Sequence, residues 1–277
     1  MKREKMKSVL IWIPTLLICF IVLWPVYWIV KSSFTPELEL YSTPVQYLPT
    51  NLTVSSYEIL FSTANMEVTW KSTVIVVVLT MVLATFFCGL AAYSFSRNKS
   101  KILSVSFTYL LFSTMVPMSV TLVPLTILWK NIGLTDTILG TVILYLSMVI
   151  PFNTLTYTGF ISGIPYSLEE AAMLDGANSI QVFIRIILPL MTPVIATMNI
   201  INFINCVNEF FIPLNFTSRN VKMLSTITSA IPIQNEFQLP WEMISAVGVL
   251  MVAPSILFVI CFEKKIMAGL IAGSVKQ

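Results

Sequence analysis

Long apolar runs constrain this chain more than any other feature of its sequence. Six stretches are candidates to cross a bilayer: 9–30, 72–94, 102–127, 138–160, 186–212 and 243–262. A membrane-spanning helix needs about 20 mostly apolar residues. Only 10% of the residues are charged, whereas a soluble domain carries about 25%. We therefore predict an all-α polytopic membrane protein with six transmembrane helices.

Basic residues are distributed unevenly between the two ends of these predicted spans. Most of the 16 Lys and Arg residues fall on one side: Lys2, Arg3, Lys5, Lys7, Arg97, Lys99, Lys101, Arg185, Lys264, Lys265 and Lys276. The positive-inside bias places that side, and with it both termini, in the cytoplasm. The first apolar run is too long for a signal peptide, and no small-x-small cleavage site follows it. We therefore expect an uncleaved first span.

The predicted spans divide the chain into three regions. Residues 1–70 comprise an N-terminal cytoplasmic segment, the first transmembrane helix and an external loop, which we expect to contain short helices. Residues 71–262 form a five-helix core, and residues 263–277 form a cytoplasmic C-terminal tail. The core contains one polar cytoplasmic connection, residues 161–189, which we call the EAA loop.

The first half of the EAA loop carries the signals of a short helix and a turn. Ser167 and Glu170 have the spacing of a capping box, which predicts a helix starting at Ser167. Leu168, Ala171 and Ala172 would then share one face. The pair Asp175-Gly176 follows, and glycine allows the chain to turn with a positive φ.

The second half predicts another short helix, beginning near Asn178. Its apolar residues have the spacing of one amphipathic face: Ile180, Phe183, Ile184 and Ile187. The loop is net acidic, with Glu169, Glu170 and Asp175 against Arg185. Acidic charge disfavours binding to anionic lipid, so a protein partner is favoured over a hairpin that lies on the headgroups.

Polar side chains at helical spacing mark the fourth and fifth predicted spans. Asn153 and Tyr157 share a face, and Asn202, Asn205 and Glu209 fall within about 60° of one another. Such residues are costly in lipid and usually face a bundle interior or a water-filled cavity. They are candidates for a substrate pathway, and interhelical hydrogen bonding is the alternative. Amide and hydroxyl groups suit a ligand with many hydroxyls better than a highly charged one.

The EAA loop also carries a known signature. The run Glu170-Ala171-Ala172, three residues, Gly176, nine residues and then Ile186-x-Leu188-Pro189 resembles the EAA motif of permease subunits of ABC importers. Other stretches are similar to the sugar branch of that family, the MalG-like subunits: 91–97, 133–137, 208–210 and 269–276. One departure is Val207, since that branch often has Trp before Asn-Glu.

The resemblance implies the type I ABC importer permease (MetI-like) fold in a bacterial plasma membrane. It implies half of a translocation pathway for a sugar or oligosaccharide, surrounded by lipid. The implied partners are a second MalG/MalF-like permease subunit, two cytoplasmic ABC ATPase subunits and an extracellular sugar-binding protein. ATP and Mg would be used by the ATPase and not by this chain. The residues implied to couple to the ATPase are Glu169, Glu170, Ala171, Ala172, Asp175, Gly176 and Ala177.

The remaining sequence excludes several other functions. No G-x-x-x-x-G-K-[ST] run is present, so we expect no ATPase activity of its own. The chain has no His and no metal-like cluster, so neither a catalytic nor a metal site is expected. Nothing predicts a nucleic-acid partner. A permease for a non-sugar solute and an ion-gradient-driven secondary transporter remain alternatives. Against the latter, no inverted repeat is evident and only Glu209 is an acid near a span interior.

Overall fold

The computed structural model describes residues 2–63, 65–231 and 239–274, with side chains for 11–62, 65–229, 231 and 239–261. Every regular element in these ranges is helical. In chain order the helices are α1 (Lys2–Ser33), α2 (Glu37–Leu40), α3 (Ser55–Thr63), α4 (Met66–Arg97), α5 (Lys101–Ser113), α6 (Met118–Asn131), α7 (Ile138–Ser162), α8 (Ser167–Leu174), α9 (Ser179–Val182), a π-helix (Phe183–Ile187), α10 (Leu188–Leu190), α11 (Thr192–Asn208), α12 (Phe211–Phe216), a 3₁₀-helix (Leu224–Ala230) and α13 (Trp241–Ser274).

Four of the described helices are long and apolar enough to cross a membrane. They are Ile11–Ser33 within α1, all of α4, all of α7, and Trp241–Cys261 within α13. The other two predicted spans are bent pairs, α5 with α6 at 101°, and Ser179–Leu190 with α11 at 71°. Counting each pair as one span gives the six that the sequence predicts. The predicted spans 102–127 and 186–212 are therefore each a bent pair of helices.

Proline accounts for the first bend. The helix α5 ends at Ser113, and α6 begins after Pro117, whose ψ of 134° is extended. Proline donates no N–H and disfavours the helical region for the residue before it, here Val116. In the second pair the chain breaks at Met191, and Pro193 lies in the first turn of α11. In the first turn of a helix the backbone N–H groups have no acceptor within the helix, so a proline there removes no helical hydrogen bond.

The contacts of the chain divide it into two compact units. The first comprises Met1–Glu67 and Ile227–Ala253. Within it, α2 and α3 are the short helices expected after the first span. The Glu39 carboxylate accepts the backbone N–H of Thr50 at 2.6 Å and of Asn51 at 3.2 Å. The hydrogen bond from Thr50 is the main reason why the pKa of Glu39 is lowered.

The second unit comprises Val68–Thr226 and Pro254–Gln277, and α7 contributes many of its buried residues. Eleven residues of α7 are buried: Gly140, Thr141, Val142, Leu144, Tyr145, Val149, Pro151, Asn153, Thr154, Tyr157 and Ile161. Among the largest fully buried side chains of this unit are Tyr145, Phe183 and Phe216. The predicted EAA loop and all the predicted polar span residues belong to this unit.

The predicted boundaries between the three regions of the chain, after residues 70 and 262, stay predictions. The helix α13 continues past residue 262 to Ser274, so the backbone of most of the predicted tail is helical. Residues 275–277 lie outside the described residues. The orientation prediction depends largely on basic side chains that also lie outside the described ones: Lys2, Arg3, Lys5, Lys7, Lys264, Lys265 and Lys276.

Candidate functional site

The first helix of the EAA loop begins as predicted at Ser167, but not through a capping box. The backbone of Tyr166 is already helical, with φ −65° and ψ −24°, and no side chain caps the helix. Ser167 therefore lies inside the first turn of the helix and not at its N-cap position, so its hydroxyl does not cap the helix. The capping box of this loop is at α9 instead. The Asn178 side chain accepts the Gln181 N–H at 2.9 Å, and the Gln181 side chain accepts the Asn178 N–H at 3.0 Å.

The turn between α8 and α9 is the predicted one. Gly176 has a φ of +89°, a conformation that side-chain-bearing residues adopt only with strain. Its N–H donates to the Met173 carbonyl, and the Ala177 N–H donates to the Ala172 carbonyl, each at 3.0 Å. These are the bonds of a Schellman motif, which satisfies the last carbonyls of a helix. The loop is thus two short helices joined by a defined turn.

The two adjacent glutamates of the loop have opposite environments. Glu170 is exposed, whereas Glu169 is fully buried. One Glu169 oxygen pairs with Arg97 Nε at 2.6 Å, and the other accepts the Tyr93 hydroxyl at 2.8 Å. The Glu169 carboxylate is thus used inside the chain, and its implied role in coupling to the ATPase stays a prediction.

Arg97 connects the end of α4 with α8 and with the segment just before α8. Besides its bond to Glu169, its NH2 group donates to the Ile164 carbonyl at 3.0 Å. Its guanidinium also lies 5.7 Å from the ring centroid of Tyr166. A buried ion pair needs additional hydrogen bonds to offset the loss of solvation, and the Ile164 carbonyl and the Tyr93 hydroxyl supply them here. This contact joins the EAA loop to a helix more than sixty residues earlier in the chain.

The buried residues of the loop do not coincide with the predicted apolar faces. On α8 the inward residues are Glu169 and the half-buried Ala172, while Leu168 and Ala171 are exposed. On the second helix Val182, Phe183 and Ile187 are buried. Ile180 and Ile184, predicted to lie on the same face as Phe183 and Ile187, are 67% and 51% exposed.

A π-helix accounts for the change in the second helix. The N–H of Leu188 donates to the Phe183 carbonyl, five residues earlier. Pro189 follows, and its missing N–H and its ring disfavour an ordinary α-helical turn around residue 185. Such single π-turns rotate the side chains relative to the α-helical pattern and are frequent at functional sites.

Phe183 forms a second contact between the EAA loop and α4. Its ring centroid lies 5.5 Å from that of Tyr93. At Gly89 an added Cβ would lie 3.3 Å from the Phe183 ring, so the absence of a side chain gives the ring its place. Gly89, Tyr93 and Arg97 follow one another at four-residue spacing and therefore share a face of α4. That face receives both halves of the loop.

The outward side of the loop combines an apolar tip with acidic groups. Leu174 is 88% exposed, and Glu170, Ala171, Asp175 and Gly176 are exposed around it. Beside them lies a groove of about 350 Å³, lined by Ala172, Asp175, Gly176, Ala177, Gln181, Arg185 and Ile186. The Glu170 carboxylate forms no hydrogen bond or ion pair with any residue that the structure describes.

The predicted pathway residues do not form one surface. Asn153 and Tyr157 are fully buried, and Asn202 is 2% exposed. The Asn153 amide, the Tyr157 hydroxyl and the Asn202 Nδ2 have no hydrogen-bond partner among the described residues. These three side chains lie in the interior of the unit. Asn205 alone of the predicted asparagines of α11 is exposed.

Glu209 does not continue the asparagine stripe. The helix α11 ends at Asn208, and Glu209 has an extended ψ of 122°. Its carboxylate accepts the Ile212 N–H at 3.0 Å, so it caps the start of α12. The prediction that Asn202, Asn205 and Glu209 share one helical face is therefore wrong, because the helix ends before the third of them.

A shallow groove contains two hydrogen-bonded polar side chains that are not among the predicted pathway residues. The Thr85 hydroxyl donates to the Asn199 side-chain oxygen at 3.3 Å. The groove has a volume of about 330 Å³ and is lined by Val78, Met81, Val82, Thr85, Asn199, Phe203 and Phe258. The rings of Phe203 and Phe258 stack at 4.3 Å. The repeated asparagines of α11 were the available signal for Asn199.

Asp136 organises the turn before α7. Its carboxylate accepts four backbone N–H groups at 2.8–3.1 Å, those of Ser218, Arg219, Asn220 and Val221. Partial burial would raise the pKa of Asp136, but these four donors outweigh it and lower the pKa to about 2. The residue has a φ of +59°, which aspartate tolerates better than most residues.

Comparison with known proteins places this architecture among transport proteins. The family described as "Binding-protein-dependent transport system inner membrane component" matches residues 82–268. The glucose import system permease protein GlcU of Saccharolobus solfataricus is 34% identical over 220 residues, 76% of each chain. The permease protein MsmG of a multiple sugar-binding transport system in Streptococcus mutans is 30% identical over 92% of each chain. The sulfoquinovosyl glycerol permease protein SmoH of Agrobacterium fabrum is 29% identical over 92% of this chain and 89% of its own.

Solved structures agree on the fold. A bacterial ABC transporter that imports the acidic polysaccharide alginate contains a chain that matches with a TM-score of 0.79. The match covers 95% of this chain and 98% of that one, at 19% identity. Similarity at this identity shows the fold alone, and it confirms the predicted ABC importer permease fold.

Proposed function

Because the chain belongs to the family of binding-protein-dependent transport system inner membrane components, we propose that it imports a sugar or oligosaccharide as one permease subunit of an ATP-driven transporter. The observation that carries the choice of substrate is the set of relatives. Relatives 29–34% identical over 76–92% of this chain are permeases named for glucose, multiple sugars and a sulfoquinovosyl glycerol. The chain would form half of the translocation pathway.

The chain is a transporter subunit and not an enzyme, as predicted, because its relatives are permease subunits. ATP hydrolysis belongs to a separate ATPase. We assign ATP and Mg²⁺ to two cytoplasmic ATPase subunits, and the other half of the pathway to a second permease of the MalG/MalF-like kind. An extracellular sugar-binding protein would deliver the substrate.

The outward surface of the EAA loop supports docking to an ATPase subunit. An exposed apolar tip at Leu174, with Glu170 and Asp175 beside it, suits a cleft that has an apolar floor and a basic rim. Buried apolar anchors supply most of the energy of such interfaces, and the charges around them favour the correct partner. Ala171 and Gly176 are exposed there, and Ala172 and Ala177 line the adjacent groove. Glu169 contributes from inside, through α4.

The pathway is best supported at two asparagines of α11. Asn205 is exposed, and Asn199 lies in the groove with Thr85. Their neutral amide and hydroxyl groups suit the hydroxyls of a sugar. Asn153, Tyr157 and Asn202 are buried, so we assign them to packing between α7 and α11. Glu209 is assigned to capping α12.

The charges support the proposed membrane orientation. The exposed Lys99 and the pair Arg97–Glu169 lie at the end of α4 beside the EAA loop, and the positive-inside bias places this end in the cytoplasm of a bacterial cell. Both termini would then be cytoplasmic. The turn that contains Asp136 would lie on the external side, where the binding protein docks.

Reconstitution tests this function. The chain, its partner permease, the ATPase and the binding protein are placed in proteoliposomes, and uptake of a panel of labelled sugars is measured. We expect uptake of at least one sugar that requires ATP hydrolysis and survives an ionophore that abolishes ion gradients. Uptake driven by an ion gradient with the ATPase absent would contradict the proposal. ATP-driven uptake of only a non-sugar solute would contradict the choice of substrate.

A further inference from the structure

Three residues hold the EAA loop to α4, and we name this group the α4 clasp: Tyr93, Arg97 and Glu169. We propose that the α4 clasp is the link through which movement of the EAA loop is transmitted to the membrane-spanning helix. This inference rests on the proposed docking of the loop to an ATPase. It gives Glu169 a positioning role that differs from that of its exposed neighbour Glu170.

The chemistry of the clasp makes it rigid. Both Glu169 oxygens are used, one by Arg97 Nε and one by the Tyr93 hydroxyl. The Glu169 side chain is fully buried and that of Arg97 is 14% exposed, so water screens the pair little. Removing one partner would leave an uncompensated buried charge, which is strongly unfavourable. The loop therefore cannot move away from α4 without a large cost.

The clasp acts on both helices of the loop. Glu169 belongs to α8, whereas Phe183, in the π-helix, packs on the ring of Tyr93. Tyr93 thus contacts the first helix through its hydroxyl and the second through its ring. A force applied to the outward surface, at Leu174 or Glu170, would move both helices together with the end of α4.

The helix α4 is long enough to carry this movement across a membrane. At its other end the Thr73 hydroxyl accepts the Leu224 N–H at 3.0 Å, in a buried bond to the 3₁₀-helix. From Thr73 to Arg97 the helix rises roughly 36 Å, more than the hydrocarbon core of about 30 Å. The α4 residues between these ends include no proline. One unbroken helix therefore connects the clasp with the opposite side of the unit.

The test separates transmission from docking. In reconstituted transporters we compare Glu169→Gln, Arg97→Gln and the double variant, with Lys99→Gln as control because Lys99 is exposed and outside the clasp. Three quantities are measured: ATPase retained on purification, ATP hydrolysed, and sugar taken up per ATP. We expect each clasp variant to retain the ATPase and to lower uptake per ATP by roughly 5- to 150-fold, the range of typical coupling energies. The double variant should be no worse than the single ones, since residues that act as one unit are not additive.

Other outcomes overturn the inference. Unchanged uptake per ATP would show that α4 receives no movement through the clasp. Loss of the ATPase from the purified complex would show that the pair only shapes the docking surface. If neither charge variant can be purified, Tyr93→Phe decides, because it keeps the ion pair and removes one hydrogen bond. It should lower uptake per ATP roughly two- to tenfold, and an unchanged ratio would overturn the inference. Failure of the unsubstituted complex to import sugar on ATP would instead contradict the proposed function.

Discussion

The backbone N–H of Asp136 donates a 2.8 Å hydrogen bond to the carbonyl of Phe216, which ties the turn before α7 to the end of α12. The Asp136 carboxylate then accepts the N–H groups of the four residues 218–221. One residue thus fixes the path of a segment that is otherwise without regular structure. Trp129 supports the same region, since its ring lies 6.2 Å from that of Phe216.

This arrangement predicts a pH-dependent stability. Folding lowers the pKa of Asp136 from 3.8 to about 2, so its ionised form contributes stability above pH 3.8 that is lost as the pH falls through about 2. We expect Asp136→Asn to lower the unfolding temperature at neutral pH. The difference from the unsubstituted protein should narrow as the pH falls through that range. Thermal unfolding in detergent measures it.

The matched control is Asn220→Ala, which removes an exposed side chain and keeps the backbone N–H that Asp136 accepts. Its unfolding temperature should be unchanged. An Asp136→Asn difference of the same size at low and neutral pH would contradict the role of the carboxylate.

Gly176 gives a second prediction about stability. At a φ of +89° a side chain costs about 1–2 kcal/mol, so Gly176→Ala should destabilise the turn between α8 and α9 and reduce the ATPase retained on purification. Gly159→Ala is the control, because Gly159 lies inside α7 with no atom near an added Cβ. It should be neutral or slightly stabilising. Equal unfolding temperatures for the two variants would contradict this account of the turn.

Hydrophobicity alone predicted the six spans, because a bilayer requires long apolar runs whatever the contacts between them. It could not predict where two of them bend. The apolar run continues without interruption through Pro117, and only the local backbone shows that α5 has ended before it. The end of α11 before Glu209 was also missed. A carboxylate at this position can either continue a polar stripe along the helix or cap the next helix, and the sequence does not distinguish the two.

The roles of Glu169 and Glu170 could not be distinguished from sequence. They are adjacent and chemically identical, and the residue that decides between them, Arg97, lies 72 positions away from Glu169. Tyr93 and Arg97 at four-residue spacing were a signal, but nothing in sequence says which acid they meet. The buried face of the second helix was mispredicted because the π-turn before Pro189 changes the helical period.

Glu170→Lys tests the docking surface. Glu170 is exposed and lies on the outward side of α8, so reversing its charge should leave insertion and unfolding temperature unchanged. It should reduce the ATPase retained on purification by at least roughly tenfold, since misplaced charge at an interface is costly. The control is Lys99→Glu, another charge reversal at an exposed position beside the same end of α4. Full retention of the ATPase in the Glu170 variant would count against docking at this surface.

Substitutions of Asn205 and Asn202 test which asparagine lines the substrate pathway and which packs helices together. Asn205→Leu should lower the rate of sugar uptake roughly two- to tenfold through a lost hydrogen bond, with subunit assembly retained. Asn202 is 2% exposed, so Asn202→Leu should change uptake less. Uptake kinetics and assembly are compared in the same preparations. A larger loss of uptake for Asn202 than for Asn205 would reverse the two assignments.

The most direct test of the central claim is photocross-linking from the tip of the EAA loop. A photoreactive amino acid replaces Leu174, which is 88% exposed, or Leu38, which is 90% exposed in the segment after α1. In intact cells the probe at position 174 should capture the ATPase subunit, and the probe at position 38 should not. Capture of the ATPase from position 38, or no capture from position 174 in cells that import the sugar, would contradict the claim that this loop is the docking surface.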